Sequence, residues 1–123
     1  MSESIQPPDR LSVRVTRPAD RTAVLHVAGE LDLFTAPVVD SHIVKQLTDH
    51  PQAHLVLDLT EVTFFGSAGL ATLVRAAESA EDQDVALQLV AESQIVLRPL
   101  QVTGTLGLFT IRRSVTEALA HRG

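Results

Sequence analysis

The sequence predicts a single α/β domain with a mixed sheet of four to five strands and helices packed mainly on one face. Its length of 123 residues suits one domain with a sizeable core. Short apolar runs alternate along the chain with stretches in which apolar residues recur at helical spacing. The composition is 45% hydrophobic with only four aromatic residues, so aliphatic side chains must build the core.

The first part of the chain predicts a hairpin. Residues 1–10 carry polar residues and two adjacent prolines without periodicity, which favours a flexible lead-in. Apolar and polar residues alternate through 11–16, as in a half-buried strand. After a turn at 18–21, residues 22–29 predict a second strand, antiparallel because the connection is short. His26 lies inside it without a partner at metal-binding spacing, so we interpret it as a strand residue with a satisfied ring.

A helix is predicted next, at about 36–47. Thr35 is a good N-cap residue, and Pro37 falls in the first turn, where its missing N–H costs nothing. Glu30 and Asp32 precede this cap. They are either exposed acids that aid solubility or acids that interact favourably with the helix dipole. Two acids at this spacing do not by themselves make an acid/base pair.

The remaining elements follow from the same signals. Strand–helix–strand order with these connection lengths predicts parallel neighbours joined by right-handed crossovers. Pro99 interrupts the third helical pattern, so we expect a short or distorted element there. The predicted elements are a strand from 54, a helix from 67, an acidic turn at 81–84, a strand at 85–90, a helical element capped by Ser93, a strand at 108–111, and a helix opened by a capping box at Ser114 and ended by His121.

The central stretch, residues 55–80, is a buried strand that feeds directly into an amphipathic helix. Ser67 lies at this junction, near free backbone N–H groups and the positive end of the helix dipole. The simplest interpretation is that Ser67 is an N-cap. A nucleophile elbow, G-x-S-x-G, is excluded because Phe65 stands where the first glycine is needed and no histidine has a triad context.

Charge and composition exclude several function classes. The net charge is −5 and the basic residues are scattered, which argues against nucleic-acid binding. Without cysteine there is no disulfide, thiol nucleophile or cysteine zinc site, and no other metal site is predicted. The GTLG at 104–107 fits no nucleotide motif, so no cofactor is expected. No signal peptide or membrane span is evident, and we expect a soluble, cytoplasmic protein that is not an enzyme.

Three stretches, GELDLFTAP from Gly29, LVLDLTEVTFFGSAGL from Leu55 and TGTLGLFTI from Thr103, resemble the STAS domain and specifically the bacterial anti-sigma factor antagonists. The resemblance implies a STAS domain over 11–122. It also implies that Ser67 is phosphorylated by an anti-sigma factor that is a GHKL-type serine kinase, with a serine phosphatase as a further partner. The unphosphorylated antagonist would bind the anti-sigma factor and release a sigma factor, and phosphorylation would abolish that binding.

The resemblance also supplies the expected partner-binding residues. Asp32 matches the acid that lies beside the phosphorylated serine, and Thr35 matches the polar residue that caps the first helix. Many members carry an acid before the serine and a second serine after it, where this chain has Gly66 and Ala68. The full predicted set is Asp32, Thr35, Gly66, Ser67, Ala68 and Gly69.

One alternative remains open from the sequence. The chain could be a STAS interaction module of a transporter-associated or stress-signalling assembly, in which Ser67 is only a helix cap. In either case we expect a monomer or weak dimer.

Overall fold

The computed structural model describes residues 10–49 and 52–121. The expected lead-in lies outside the described residues, apart from Arg10. The elements are β1 (Leu11–Ala19), β2 (Thr22–Leu31), α1 (Ala36–Thr48), β3 (His54–Phe65), α2 (Ser67–Asp82), β4 (Ala86–Val90), α3 (Gln94–Val102), a 3₁₀ turn (Leu106–Leu108), β5 (Thr110–Arg112) and α4 (Val115–Ala120).

The five strands form one sheet in the order β1-β2-β3-β4-β5. The β1 and β2 strands are antiparallel, and every later pair is parallel. This confirms the predicted mixed sheet and its predicted element order. Because β2, β3 and β4 are parallel, their carboxyl ends lie at one end of the sheet and their amino ends at the other.

Apolar side chains are buried on both faces of the sheet, but one cluster is much larger than the other. Three helices cover one face, where α1, α2 and α3 bury side chains against alternate residues of the central strands. The other face has a small apolar cluster of Val24, Val56 and Val90, covered by Ala118 of α4. This confirms helices packed mainly on one face. No helix in the described ranges is long and apolar enough to cross a membrane.

Two turns begin later in the chain than predicted. The β1 strand continues through Pro18 and Ala19, so the first turn is confined to Asp20 and Arg21, with Arg21 in the left-handed region at φ 55°. The α2 helix likewise continues through Asp82, and the acidic turn narrows to the two residues before Val85. The pairing of β1 with β2 is irregular after Thr16 and resumes where Ala19 pairs with Thr22. At the end of α2, the Gln83 N–H still donates to the Ser79 carbonyl, at 3.1 Å.

The α3 helix runs through Pro99 as a nine-residue helix. Ser93 caps it, accepting a hydrogen bond from the Ile95 N–H at 3.0 Å. Buried Val96 and Leu100 hold its inner face against the core, so packing offsets the backbone hydrogen bond that proline cannot make. The element is short, as predicted, but the expected interruption at Pro99 was wrong, because the helix continues to Val102.

His26 has a satisfied ring, as predicted. Its Nδ1 lies 2.9 Å from Asp58 Oδ2, and its Nε2 lies 3.0 Å from the Thr16 hydroxyl. The other Asp58 oxygen accepts hydrogen bonds from the Thr60 N–H and hydroxyl, at 3.1 and 2.8 Å. This chain of contacts ties β1, β2 and β3 together on the face opposite the three large helices.

Candidate functional site

Ser67 lies at the carboxyl end of β3, beside the carboxyl end of β2. The preceding residue, Gly66, donates its N–H to the Leu31 carbonyl at 3.1 Å, which extends the parallel pairing of the two strands to the helix junction. The chain then turns at once into α2, with Ser67 as its first residue. The strand pairing therefore fixes where this serine is presented, and its side chain is exposed.

Ser67 is not the N-cap, so that prediction was wrong. The N-cap is Gly66, with extended backbone angles of φ −102° and ψ −173°, and its carbonyl accepts the first helical hydrogen bond from Leu70 at 3.1 Å. A serine caps a helix only from the non-helical position before the first turn, because only there can its hydroxyl reach the N–H groups ahead of it. Among the described residues, the Ser67 hydroxyl has no hydrogen-bond partner.

The surroundings of the Ser67 hydroxyl can accept negative charge. The backbone N–H groups of Ser67, Ala68 and Gly69 belong to the first turn and have no partner inside the helix. No acidic residue lies in that turn, and the positive end of the helix dipole points there. A phosphate on this hydroxyl would therefore be favoured by the local backbone rather than repelled by it.

Asp32 and Thr35 interlock in the loop between β2 and α1. Asp32 Oδ1 accepts hydrogen bonds from the N–H groups of Phe34 and Thr35, at 2.9 and 3.0 Å. The Thr35 hydroxyl accepts from the Asp32 N–H at 2.9 Å and donates to the Glu30 carbonyl at 2.6 Å. Local side-chain bonds of this kind fix a short loop without regular structure.

Thr35 occupies the N-cap position of α1 but does not cap it, so the capping role predicted for its side chain was wrong. Its hydroxyl makes no bond to the first-turn N–H groups of α1. The reason is competition, because that oxygen is already committed to the loop on its amino-terminal side. Thr35 instead holds the loop that carries Asp32.

Arg10 is a functional candidate that sequence reasoning assigned to the flexible lead-in. Its guanidinium pairs with Asp32 Oδ2 and lies 3.4 Å from Glu30 Oε1, with its Cζ 5.7 Å from the Phe34 ring centre. Partial burial alone would raise the pKa of Asp32, but the hydrogen bonds from Thr35 and Phe34 and the Arg10 charge lower it below its ordinary value. Asp32 is therefore held as a carboxylate.

Asp32 and Ser67 lie at the same end of the sheet. Leu31 pairs with Phe65, so Asp32 and Ser67 each lie a short step beyond paired residues of neighbouring strands. No hydrogen bond joins Asp32 to Ser67 in the part of the chain that the structure describes. The Asp32 carboxylate is instead occupied by its own loop and by Arg10.

Three large apolar side chains are exposed at this same end of the sheet. Leu33 is 73% exposed, Phe34 76% and Phe64 51%. We call Ser67 together with these three residues the Ser67 surface. Groups of exposed apolar side chains are typical of protein interaction sites. The sequence signal was present in LDLF and TFFG, which hold more apolar residues than a strand alternation needs.

The glycines at the site differ in what they require. Side chains at Gly66 would meet only the exposed ring of Phe64, at 3.1 Å. A Cβ on Gly69 would lie 2.8 Å from Leu31 Cγ and 3.0 Å from Phe65 Cε1, so only glycine lets α2 pack this closely. The predicted set thus divides by exposure: Ser67 is exposed, Asp32, Gly66 and Ala68 are half-buried, and Thr35 and Gly69 are buried.

Gly29, the first residue of the GELD stretch, is also required by its backbone. Its φ of +110° lies in a region that other residues rarely adopt, and a Cβ there would lie 2.2 Å from the Arg10 carbonyl oxygen. This glycine therefore allows β1 to approach β2 where Arg10 enters the site.

Comparison with known proteins places these features in a family. A family model described as the STAS domain matches residues 13–118. The anti-sigma-F factor antagonist RsfB of Mycobacterium tuberculosis is 36% identical over 91% of this chain and 89% of its own length. An anti-sigma-B factor antagonist of Listeria monocytogenes is 34% identical over 72% of this chain and 76% of its own. The crystal structure of an anti-sigma factor antagonist from Mycobacterium paratuberculosis matches with a TM-score of 0.82 and 31% identity, covering 94% of this chain and 97% of that one.

Proposed function

The chain belongs to the STAS domain family, and we propose that it works as an anti-sigma factor antagonist controlled by phosphorylation of Ser67. Its bacterial relatives, named as antagonists of anti-sigma factors, are regulatory binding proteins. In this proposal the unphosphorylated chain binds an anti-sigma factor through the Ser67 surface and so frees a sigma factor. The chain acts by binding and performs no catalysis of its own.

One observation carries the proposal: Ser67 is exposed as the first residue of α2, and its hydroxyl is unengaged among the described residues. A serine that capped the helix would have to give up that hydrogen bond before it could be modified. Ser67 has nothing to give up. The exposed Leu33, Phe34 and Phe64 supply the apolar area that a partner would bury around it.

The partner we propose is an anti-sigma factor that is also a GHKL-type serine kinase. A kinase must bring the substrate hydroxyl to its nucleotide, so its recognition surface has to surround Ser67. Half-buried Asp32, Gly66 and Ala68 can contact such a partner directly. The buried Thr35 and Gly69 act by holding the loop and the helix in place. A serine phosphatase would reverse the modification.

Phosphorylation should switch the interface while leaving the fold intact. It adds about −1.5 to −2 charges at neutral pH, and the first turn of α2 can accept part of that charge. In a complex the same charge has to be desolvated among apolar side chains, which is far less favourable than exposing it to water. We therefore expect at least a tenfold loss of affinity, which corresponds to about 1.4 kcal/mol.

The competing proposal is a scaffold module in which Ser67 is only a cap, and the start of α2 does not support that role for Ser67. Gly66 occupies the N-cap position, and no side chain caps α2.

The test compares binding to the GHKL-type anti-sigma factor of the same cell by calorimetry. Ser67→Ala should bind like the unmodified protein, whereas protein phosphorylated at Ser67 by that kinase should bind at least about tenfold more weakly. Ser79→Ala is the matched control, because Ser79 is on the same helix but far from the Ser67 surface. It should change neither binding nor phosphorylation. Equal affinity of the phosphorylated and unphosphorylated forms would refute the switch.

A second arm tests the surface itself. Phe34→Ser and Phe64→Ser should each weaken binding, because each removes exposed apolar area from the Ser67 surface. Val44→Ser, which truncates an exposed side chain on α1, is the control. If all three variants bind equally well, the partner docks elsewhere and the Ser67 surface is wrongly assigned.

A further inference from the structure

A groove of about 730 Å³ lies at the end of the sheet opposite Ser67. The amino-terminal residues of β4 and β5 line it, together with Ala53 just before β3 and the carboxyl-terminal half of α2. Because α2 rises 1.5 Å per residue, Glu78 on the groove is about 16 Å along the helix from Ser67. The groove is therefore separate from the Ser67 surface.

The groove stays open because β5 is short. It has three residues and first pairs with β4 at Gln88, which leaves Ala86 and Leu87 beyond its reach. Val74, Ala77 and Leu87 contribute apolar surface to the lining, with Phe109 beside them. At the edge, Leu108 is 60% exposed. A volume of this size and an apolar lining are typical of a site that receives another molecule.

Every charged residue that lines the groove is acidic. Glu78 and Glu81 lie one turn apart on α2, and Asp84 follows in the turn before β4. All three are exposed, and none forms an ion pair with another described residue. The groove thus combines an apolar floor with three negative charges that no described cation neutralises.

We propose that this groove docks a segment of a partner protein in which apolar side chains are flanked by lysine or arginine. Apolar side chains would fill the floor against Leu87 and Phe109, and the basic groups would pair with the carboxylates at the rim. A second copy of this chain is a poor occupant, because each copy has a net charge of −5. The charge of the rim therefore favours a basic partner.

This second docking surface is independent of the proposed phosphorylation switch. The two sites lie at opposite ends of α2, so one partner can occupy the groove while another occupies the Ser67 surface. The antagonist would then be able to hold two proteins at once. Failure of either site in an experiment would leave the other untouched.

The probe is a short fluorescein-labelled peptide in which two leucines alternate with two lysines. Its binding is measured by fluorescence anisotropy. The peptide should bind, and its affinity should fall with added salt. The double variant Glu78→Lys with Glu81→Lys should weaken binding about tenfold. The double variant Asp20→Lys with Glu61→Lys changes the net charge equally but outside the groove, and should bind like the unmodified protein. Equal loss in both variants would show attraction to net charge only and would overturn the site.

Two further experiments locate the bound peptide on the protein. Leu108→Gln should weaken peptide binding, whereas Val44→Gln, which replaces an exposed side chain on α1, should not. Amide NMR shifts on adding the peptide should centre on Leu87 and Leu108 and spare Ser67. A peptide with glutamate in place of lysine that binds equally tightly, or shifts centred on Ser67, would overturn the proposal.

Discussion

Replacing Gly69 should destabilise the domain by an amount that the packing around it determines. A Cβ at this position would lie 2.8 Å from Leu31 Cγ, where ordinary carbon contacts are about 3.5–4.0 Å. Leu31 is fully buried and Phe65 is 7% exposed, so neither can move aside into solvent. Overpacking of this kind costs about 1–3 kcal/mol, against a gain of up to about 1 kcal/mol from the better helix propensity of alanine.

We therefore expect Gly69→Ala to cost about 1 kcal/mol and Gly69→Val about 2–3 kcal/mol, because valine adds two more methyl groups to the same crowded contact. For a domain of this size the valine variant should lower Tm by roughly 8–12 °C. The assay is thermal and urea unfolding followed by circular dichroism. Gly107→Ala is the matched control, because nothing lies within 4 Å of a Cβ added there.

The same variant tests the link between packing and the switch. If Gly69 sets the position of Ser67, the valine variant should be phosphorylated more slowly at temperatures where it remains folded. A Gly69→Val protein that melts with the unmodified protein would refute the packing argument. One that loses stability but is phosphorylated at the normal rate would show that Gly69 serves the core alone.

Two further predictions concern polar groups near the sheet. Folding lowers the pKa of Asp32, so its contribution to stability is present above its unfolded pKa of about 3.9 and is lost as the pH falls through the folded value. The difference in Tm between the unmodified protein and Asp32→Asn should therefore shrink as the pH is lowered from about 6 to about 3, and a constant difference would contradict this. Asp58→Ala removes the carboxylate that accepts hydrogen bonds from both His26 and Thr60, and it should lower the free energy of unfolding in urea by about 1–3 kcal/mol. Thr60→Ala removes only one hydroxyl and should cost less. Equal costs would show that the bond to His26 contributes nothing to stability.

Much of the fold follows from local signals in the sequence. The hairpin, the parallel strands and the helices were predicted in the right order, because apolar periodicity records which face of each element is buried. Two caps were also predicted correctly. Ser93 accepts from Ile95, and Ser114 accepts from the Glu117 N–H at 3.0 Å. These caps depend only on residues within one turn.

The capping box at Ser114 was right in one half only. The Glu117 carboxylate reaches back to the N–H of Arg113, at 2.7 Å, and not to that of Ser114. Its partner depends on how the chain enters the helix from β5. Residue types alone do not specify that entry.

The site itself was predicted in part. The sequence placed Ser67 at a strand-to-helix junction and identified Asp32 as the motif acid, and both lie at one end of the sheet as expected. Arg10 was missed, because its role depends on β1 pairing with β2 and bringing its guanidinium to Asp32, twenty-two residues away. The exposure of Phe34 and Phe64 was also missed, because an apolar residue in a sequence is by default expected inside, although LDLF and TFFG hold more apolar residues than a strand alternation needs.

The sequence by itself determined that a serine stands where a buried strand becomes an amphipathic helix. Only the tertiary structure decided that this serine begins the helix and does not cap it. The reason is a long-range hydrogen bond, from the Gly66 N–H to the Leu31 carbonyl, which keeps Gly66 extended at the end of β3 and makes it the N-cap. That bond depends on the register between β2 and β3, which is set by packing across the whole sheet. It leaves the Ser67 hydroxyl exposed and without a partner among the described residues, as the proposed phosphorylation requires.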